Sequence, residues 1–191
     1  NPNGYTWKQY TYYNWKSLGN DTKHAYISDD WNGGPQDEWL ISRTTDISGV
    51  NTDVHMVFNF ITNYWFTTQY KHNNLLVMAS ADGGKTWEEI WNLWDNAGLF
   101  TDWVPSQAKV TIPAKFQDAK DLRFAFVYRG KGGSNLSIDD VTLYADVREN
   151  YVANKAESDK LAKDVRLFGL RDWLMELYEK SIRLHKDFVY R

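Results

Sequence analysis

The segment DLRFAFVYR, residues 121–129, decides the fold of this chain. Its even positions, from Leu122 to Tyr128, are all apolar or aromatic, whereas Arg123 and Arg129 lie among the odd positions. A period of two residues is typical of a β-strand, because successive side chains of a strand point to opposite faces. The pattern therefore predicts an antiparallel sheet with one buried face.

Other segments rich in β-branched and aromatic residues lie on both sides of it, separated by turn signals such as Gly-Gly-Pro at 33–35. They are residues 5–13, 24–28, 38–42, 54–61, 74–80, 86–94, 108–114 and 136–144. No helical pattern interrupts them, so we expect a mainly β fold, an antiparallel jelly-roll β-sandwich, over residues 1–146.

The composition changes after Tyr144. Residues 147–191 read as amphipathic helix, with apolar side chains from Leu170 to Tyr178 at the spacing of one helical face. We expect this segment to be a helical extension or a linker that contacts a neighbouring domain of the parent protein. No run reaches the roughly 18 apolar residues of a membrane span, so no membrane span is predicted.

The charge distribution excludes one class of partner. Residues 147–191 carry ten Lys and Arg against eight Asp and Glu, which leaves 12 against 17 for the sandwich. A nucleic-acid binder presents a basic stripe, and this body is acidic. Cysteine is absent, so thiolate zinc sites and cysteine nucleophiles are excluded as well.

The segment SADGGKTW, residues 80–87, matches the Asp-box pattern that sialidases carry in several copies. Each position can be explained by the turn alone, because Ser80 and Asp82 can bond the turn backbone and the two glycines can adopt positive φ. A chain of 191 residues is too short for a six-bladed propeller at roughly 40 to 50 residues per blade. We therefore interpret the box as a stabilised β-hairpin and not as catalytic machinery.

Three stretches in order carry a family resemblance: DEWLISRTTDISGV at 37–50, LLVMASADGGKTWEEIW at 75–91, and the segment from 108 to 144 that ends in SIDDVTLY. Together they resemble the cleaved-adhesin or choice-of-anchor J domains, relatives of MAM domains. Arg43 stands where that group usually has proline, and the segment after residue 146 lies outside the pattern.

The resemblance implies a jelly-roll sandwich on a secreted or surface-anchored bacterial protein, and a non-catalytic role. It also implies a structural Ca²⁺ ion held in part by the acidic pair of the SIDDV element. The candidate ligands are Asp139, Asp140 and Asp30. Calcium needs six to eight oxygens, and adjacent strand residues point to opposite faces, so only one of the pair is expected to face inward.

Aromatic side chains in the segments 63–70 and 91–103 are candidates for ligand binding. We name Tyr64, Trp65, Trp94 and Trp103, since tryptophans in loops on a rigid sandwich can form a platform for sugar rings. The alternative is that they pack beneath the loops as a satellite cluster, which is the commoner fate of large aromatic residues.

The function expected from these patterns is a non-catalytic module that binds a glycan or a host or matrix protein. One alternative is an accessory domain that braces a neighbouring protease or glycoside hydrolase domain. Another is a hydrolase, which would need two carboxyl groups about 5 to 9.5 Å apart across a sugar. Exposed tryptophans at one place would favour the first interpretation, and a cleft with two facing carboxylates would favour the last.

Overall fold

The computed structural model describes residues 4–10 and 23–146. Nine β-strands lie in these residues: β1 Lys8–Tyr10, β2 His24–Ile27, β3 Pro35–Ile41, β4 Val54–Thr62, β5 Asn73–Ser80, β6 Glu88–Asn92, β7 Ser106–Thr111, β8 Arg123–Lys131 and β9 Leu136–Ala145. A π-helical turn at Trp65–Gln69 and two 3₁₀ turns, at Ala97–Leu99 and Ala114–Phe116, lie between strands.

The strands form two antiparallel sheets. One has the order β1-β2-β9-β4-β7 and the other has the order β3-β8-β5-β6. Strand β1 is added at one edge. The remaining eight strands have the order of a jelly roll, in which each strand lies in the other sheet from the one before it except in the β5–β6 hairpin. The mainly β, two-sheet architecture predicted from the strand periodicity is confirmed.

The predicted strands occur in the predicted places, and their limits differ where turns interrupt the pairing. Residues 11–13 of the first predicted strand lie outside the described residues. Strand β3 begins at Pro35, which the sequence had placed in a break; proline is tolerated at the first position of a strand. Strand β6 begins at Glu88 because Thr86 and Trp87 belong to the turn before it.

The core lies between the sheets and is rich in aromatic rings. Phe58 of β4 packs edge-to-face against Trp91 at 5.5 Å and against Phe126 at 5.0 Å between ring centroids. The even positions of β8 face this core, as the alternation predicted. Each fully buried side chain of this size contributes about 1.5–3 kcal/mol.

The opposite face of β8 differs from the expectation of a single buried face. Ala125 and Val127 are also buried there, in a small second cluster with Leu76. The half-buried indoles of Trp39 and Trp87 pack against this cluster and meet edge-to-face at 5.5 Å. The outer surface of the second sheet is thus partly covered by its own tryptophans.

The chain divides into two compact units, Asn1–Ala145 and Asp146–Arg191. The helical extension predicted for 147–191 lies outside the described residues. Within the part of the chain that is described, no helix is both long and apolar enough to cross a membrane.

Candidate functional site

One end of the sandwich collects most of the exposed aromatic side chains. Four connections meet there: residues 28–34, 63–72, 93–105 and 132–135, which link β2 to β3, β4 to β5, β6 to β7 and β8 to β9. We call these four segments the aromatic end. Most of the large apolar side chains that are exposed in the described residues lie on them.

A cleft of about 260 Å³ opens at the aromatic end. Its apolar walls are the rings of Trp31, Phe66 and Trp103, and its polar lining comes from Asp29, Asn63 and the 132–135 segment. Trp31 is 76% exposed and Trp103 is 39% exposed. Trp103 is held at a φ of +53°, a conformation uncommon for a bulky residue, and its N–H donates to the Thr62 carbonyl at 3.1 Å.

Two asparagines give the cleft hydrogen-bond donors. The Oδ1 atom of Asn63 accepts from the Phe66 N–H at 2.9 Å, and Oδ1 of Asn135 accepts from the Asp29 N–H at 3.2 Å. Because a backbone N–H can only donate, these bonds fix which amide atom is oxygen. Each Nδ2 group is left without a partner among the described residues and can donate to a ligand.

Asp29 gives the cleft an acceptor. Its Oδ1 atom accepts from the Gly133 N–H at 2.8 Å, which ties the 28–34 segment to the 132–135 segment. Its Oδ2 atom has no hydrogen-bond partner among the described residues. The residue is only 9% exposed, so this oxygen is held in a fixed position at the cleft.

The loops of the aromatic end are joined beneath the cleft by Asn73, the first residue of β5, which is fully buried. Its Nδ2 donates to Thr67 Oγ1 at 3.1 Å, and its Oδ1 accepts from the Ser134 N–H at 3.1 Å. Its carbonyl accepts from Trp94 Nε1 at 2.9 Å. The side chain and the carbonyl of Asn73 thereby connect three of the four segments of the aromatic end.

The 132–135 segment is also supported from inside the core. The buried Tyr128 hydroxyl donates to the Ser134 carbonyl at 2.9 Å. Burial raises the pKa of this phenol, and the negative charge of Asp29 nearby raises it further. A β-carbon at Gly133 would lie 2.7 Å from Asn73 Cβ and 2.8 Å from Tyr128 Oη, so only glycine fits this close approach.

The four aromatic residues named from the sequence all lie at the aromatic end, but in different surroundings. Trp103 lines the cleft, and Tyr64 packs against Phe100 and the core. Trp65 is 54% exposed and meets Tyr64 edge-to-face. Trp94 is anchored through its Nε1 and has the Lys71 ammonium 5.5 Å from its ring centroid.

Sequence reasoning missed two of the three aromatic walls of the cleft, Trp31 and Phe66. A signal for Trp31 was present, because it precedes the turn sequence Asn-Gly-Gly and cannot continue a strand. Nothing local marked Phe66, since its position depends on the π-helical turn at Trp65–Gln69, which the sequence had placed in a loop. Asp29 and Asn135 were not named as cleft residues because their partners are distant in the chain. Asn63 was not named either, although its partner Phe66 is only three residues away.

The Asp box forms the predicted hairpin at the other end of β5. Asp82 Oδ1 accepts from the N–H groups of Lys85 and Thr86 at 2.9 and 3.0 Å, and Ser80 Oγ donates to it at 2.7 Å. These bonds lower the pKa of the Asp82 carboxyl well below its usual range. Gly83 and Gly84 have φ of +74° and +95°, so the structural interpretation of the box is confirmed.

Asp139 and Asp140, named as calcium ligands, do not face inward. Asp140 has a φ of +52° at an irregularity in the pairing of β9 with β4. Its Oδ2 accepts from Asn59 Nδ2 at 2.8 Å, and Asp139 Oδ1 accepts from the Asp140 N–H at 2.9 Å. Asn59 lies on the outer face, between two core phenylalanines. The expectation that one aspartate points into the core is wrong. The irregularity, a β-bulge, turns the Asp140 side chain to the outer face.

The third residue of that set, Asp30, lies elsewhere. It follows β2 at the aromatic end, is fully buried, and accepts from the Asn32 N–H at 2.9 Å. Strand β9 begins at this same end, with Leu136. Asp139 is three residues further along β9, so it lies about 10 Å from that end of the strand. The three carboxylates therefore do not fit one ion, and no group of three or more possible metal ligands occurs among residues 4–10 and 23–146. Calcium binding stays a prediction.

No protein-family model matches the chain, and no curated protein matches it at a significant level. Several solved structures show a distant likeness, and three of them illustrate it. The K1 cleaved adhesin domain of Lys-gingipain from Porphyromonas gingivalis W83 is 15% identical, with 75% of this chain and 86% of that domain covered and a TM-score of 0.45.

A family 16 carbohydrate-binding module is 18% identical over 74% of this chain and 86% of its own, with a TM-score of 0.43. The CBM27-1 module of Caldicellulosiruptor saccharolyticus, solved with mannohexaose, is 15% identical over 70% and 80%, with a TM-score of 0.46. Cleaved-adhesin and carbohydrate-binding domains thus both occur among the similar structures. The identities and TM-scores are too low for any match to carry a conclusion about what this chain binds.

Proposed function

We propose that the sandwich is a non-catalytic carbohydrate-binding module of a secreted or surface-exposed bacterial protein, and that the sugar occupies the cleft at the aromatic end. The observation that supports this most is the exposure of Trp31 beside that cleft. Burial of a large aromatic side chain removes 150–250 Å² from water, so leaving Trp31 76% exposed forgoes on the order of 3 kcal/mol. A ligand that covers the ring would recover part of it.

The polar atoms of the cleft suit a sugar, as do the aromatic rings of the cleft. Sugar hydroxyls both donate and accept hydrogen bonds, and the cleft offers them the donors of Asn63 and Asn135 and the acceptor of Asp29. Aromatic rings can stack on the apolar faces of pyranose rings. A small number of fixed polar groups within a largely aromatic cleft is the usual composition of a specific small-molecule site.

The same lining argues against catalysis at this place. Hydrolysis of a glycosidic bond needs two carboxyl groups about 5 to 9.5 Å apart across the sugar. Asp29 is the one residue with an ionisable side chain among those that line the cleft. Its Oδ1 atom is committed to Gly133, so it serves better as a fixed acceptor than as an acid or base.

A glycan array probed with the sandwich tests the proposal. We expect Trp31→Ala to weaken binding of any glycan that binds by about tenfold or more, since loss of a central aromatic anchor has effects of this size. Trp65→Ala is the matched control, because Trp65 is exposed at the same end but does not line the cleft. Equal losses in the two variants would contradict the assignment of the cleft.

The same array run with and without a chelator tests the predicted calcium ion, together with the melting temperature. The protein-binding alternative would be favoured by a blank array if the sandwich bound matrix proteins and the Trp31→Ala variant did not. A blank array with no protein partner would leave a bracing role beside a neighbouring domain.

A further inference from the structure

We infer that the cleft at the aromatic end takes neutral sugars and rejects sugars that carry a carboxylate or a sulfate, and that Asp29 sets this selectivity. This inference rests on the proposed function, because it specifies which sugars the same cleft admits. Its basis is the charge of the cleft lining and the way in which Asp29 is held.

The first step is that no cationic side chain lines the cleft. The residues that line it include no lysine, arginine or histidine, and the described structure gives Asp29 no salt-bridge partner. Recognition of an acidic sugar ordinarily uses the paired N–H groups of an arginine or a lysine ammonium. An acidic sugar in this cleft would meet uncharged donors and no cationic side chain.

The second step is that Asp29 cannot move away from an anionic ligand. Its Oδ1 atom accepts from the Gly133 N–H at 2.8 Å, and its own N–H donates to Asn135 Oδ1 at 3.2 Å. The 132–135 segment thus holds both the side chain and the backbone of Asp29. Because the residue is 9% exposed, its charge is screened less than that of a surface carboxylate.

The third step is what the remaining Oδ2 atom can accept. A sugar hydroxyl can donate to a carboxylate, and such charge-assisted hydrogen bonds are stronger than neutral ones. A carboxylate or sulfate has no proton to donate at neutral pH and would be repelled. The same oxygen therefore attracts a neutral sugar and rejects an acidic one.

His72 contacts the 132–135 segment but is not among the residues that line the cleft. Its Nδ1 atom lies 2.9 Å from the Gly132 carbonyl, which can only accept, so Nδ1 carries the hydrogen.

The test uses polysaccharide pairs that differ in charge but share a backbone. The probes are methyl-esterified and demethylated galacturonan, β-1,4-mannan and polymannuronate, and cello-oligosaccharides and their C6-oxidised forms. Dissociation constants are measured at low salt, about 0.1 M, and at high salt, about 1 M, which shortens the screening length from about 10 Å to about 3 Å. We expect the neutral member of each bound pair to bind at least about tenfold more tightly at low salt. The difference should narrow at high salt.

Asp29→Asn keeps the acceptor for Gly133 and removes the charge, so the fold contact survives. We expect this variant to bind neutral sugars more weakly and to bring the two members of a pair within about threefold of each other. Asp95→Asn is the control, because Asp95 is an exposed carboxylate of the same end that does not line the cleft. It should leave the preference unchanged.

Acidic members that bind as tightly as neutral ones, or a preference that survives Asp29→Asn, would overturn the inference and leave carbohydrate binding intact. Failure of every probe to bind would instead overturn the proposed function and the inference with it.

Discussion

Each end of strand β5 is organised by one polar side chain. These two side chains bond partners at very different separations along the chain. At one end, Asp82 receives bonds from residues no more than four positions away. At the other end, the Asn73 side chain bonds Thr67, six positions away, and Ser134, 61 positions away. The first hub is exposed and charged, whereas the second is fully buried and neutral.

The difference follows from what each hub holds. The N–H groups of a hairpin turn lie close together in the chain, so one exposed carboxylate can accept hydrogen bonds from several of them at little desolvation cost. Segments that come from different strands must be joined inside the protein, where an unpaired charge is expensive and an amide can satisfy both a donor and an acceptor. A surface assembled from several loops therefore depends on a buried neutral hub.

Removal of the buried hub should have the largest effect. Asn73→Ala leaves the Ser134 N–H without its partner and opens a cavity, so we expect a loss of about 3 kcal/mol in the free energy of unfolding. Chemical denaturation of the variant measures it. Hydrogen exchange should also accelerate at Ser134 and across the 63–72 segment.

Asn32→Ala is the control for that measurement, because Asn32 is an exposed asparagine of the same end. Its effect should stay within about 0.5 kcal/mol. A loss below about 1 kcal/mol in Asn73→Ala would mean that the three segments hold together without the hub.

The close approach at Gly133 gives an effect of intermediate size. Gly133→Ala places a β-carbon 2.7 Å from Asn73 Cβ, so we expect a loss of about 2 kcal/mol and weaker glycan binding as the bond to Asp29 shifts. Gly98→Ala is the matched control, since a β-carbon at Gly98 meets nothing within 4 Å. Equal melting temperatures for the two variants would contradict the tight packing described for this segment.

The exposed hub should give the smallest effect, and one that depends on pH. The pKa of Asp82 is lowered in the folded state, so its contribution is fully present above the unfolded value of about 3.9 and is lost as pH falls through the folded pKa. The difference in stability between the protein and Asp82→Asn should therefore shrink as pH falls below about 4. Melting curves at several pH values measure this, and a difference that grows toward acid would contradict it.

Binding completes the comparison between the two hubs. Asp82→Asn should leave glycan affinity unchanged, because Asp82 lies beyond the far end of the eight-residue strand β5, about 25 Å from the cleft. A loss of affinity in Asp82→Asn would mean that the two ends of β5 are coupled, and it would contradict this contrast.

The sequence by itself determined the strands, the two-sheet fold and the Asp-box turn. The alternation of a strand depends only on neighbouring residues, and the stretch from Leu122 to Tyr128 is an example. In the turn at 80–87, the side chains of Ser80, Asp82 and Thr86 find their hydrogen-bond partners within the turn. Interactions of short range leave their full pattern in a short stretch of chain, and such patterns can be interpreted without coordinates.

Only the tertiary structure decided the cleft. Asp29 bonds residues 104 and 106 positions away, and Trp31, Phe66 and Trp103 come from three different connections. It also decided that Asp139 and Asp140 share the outer face, because a bulge interrupts the alternation. The site is made by contacts between loops whose separation in the chain is large, and no local pattern encodes which of them will meet.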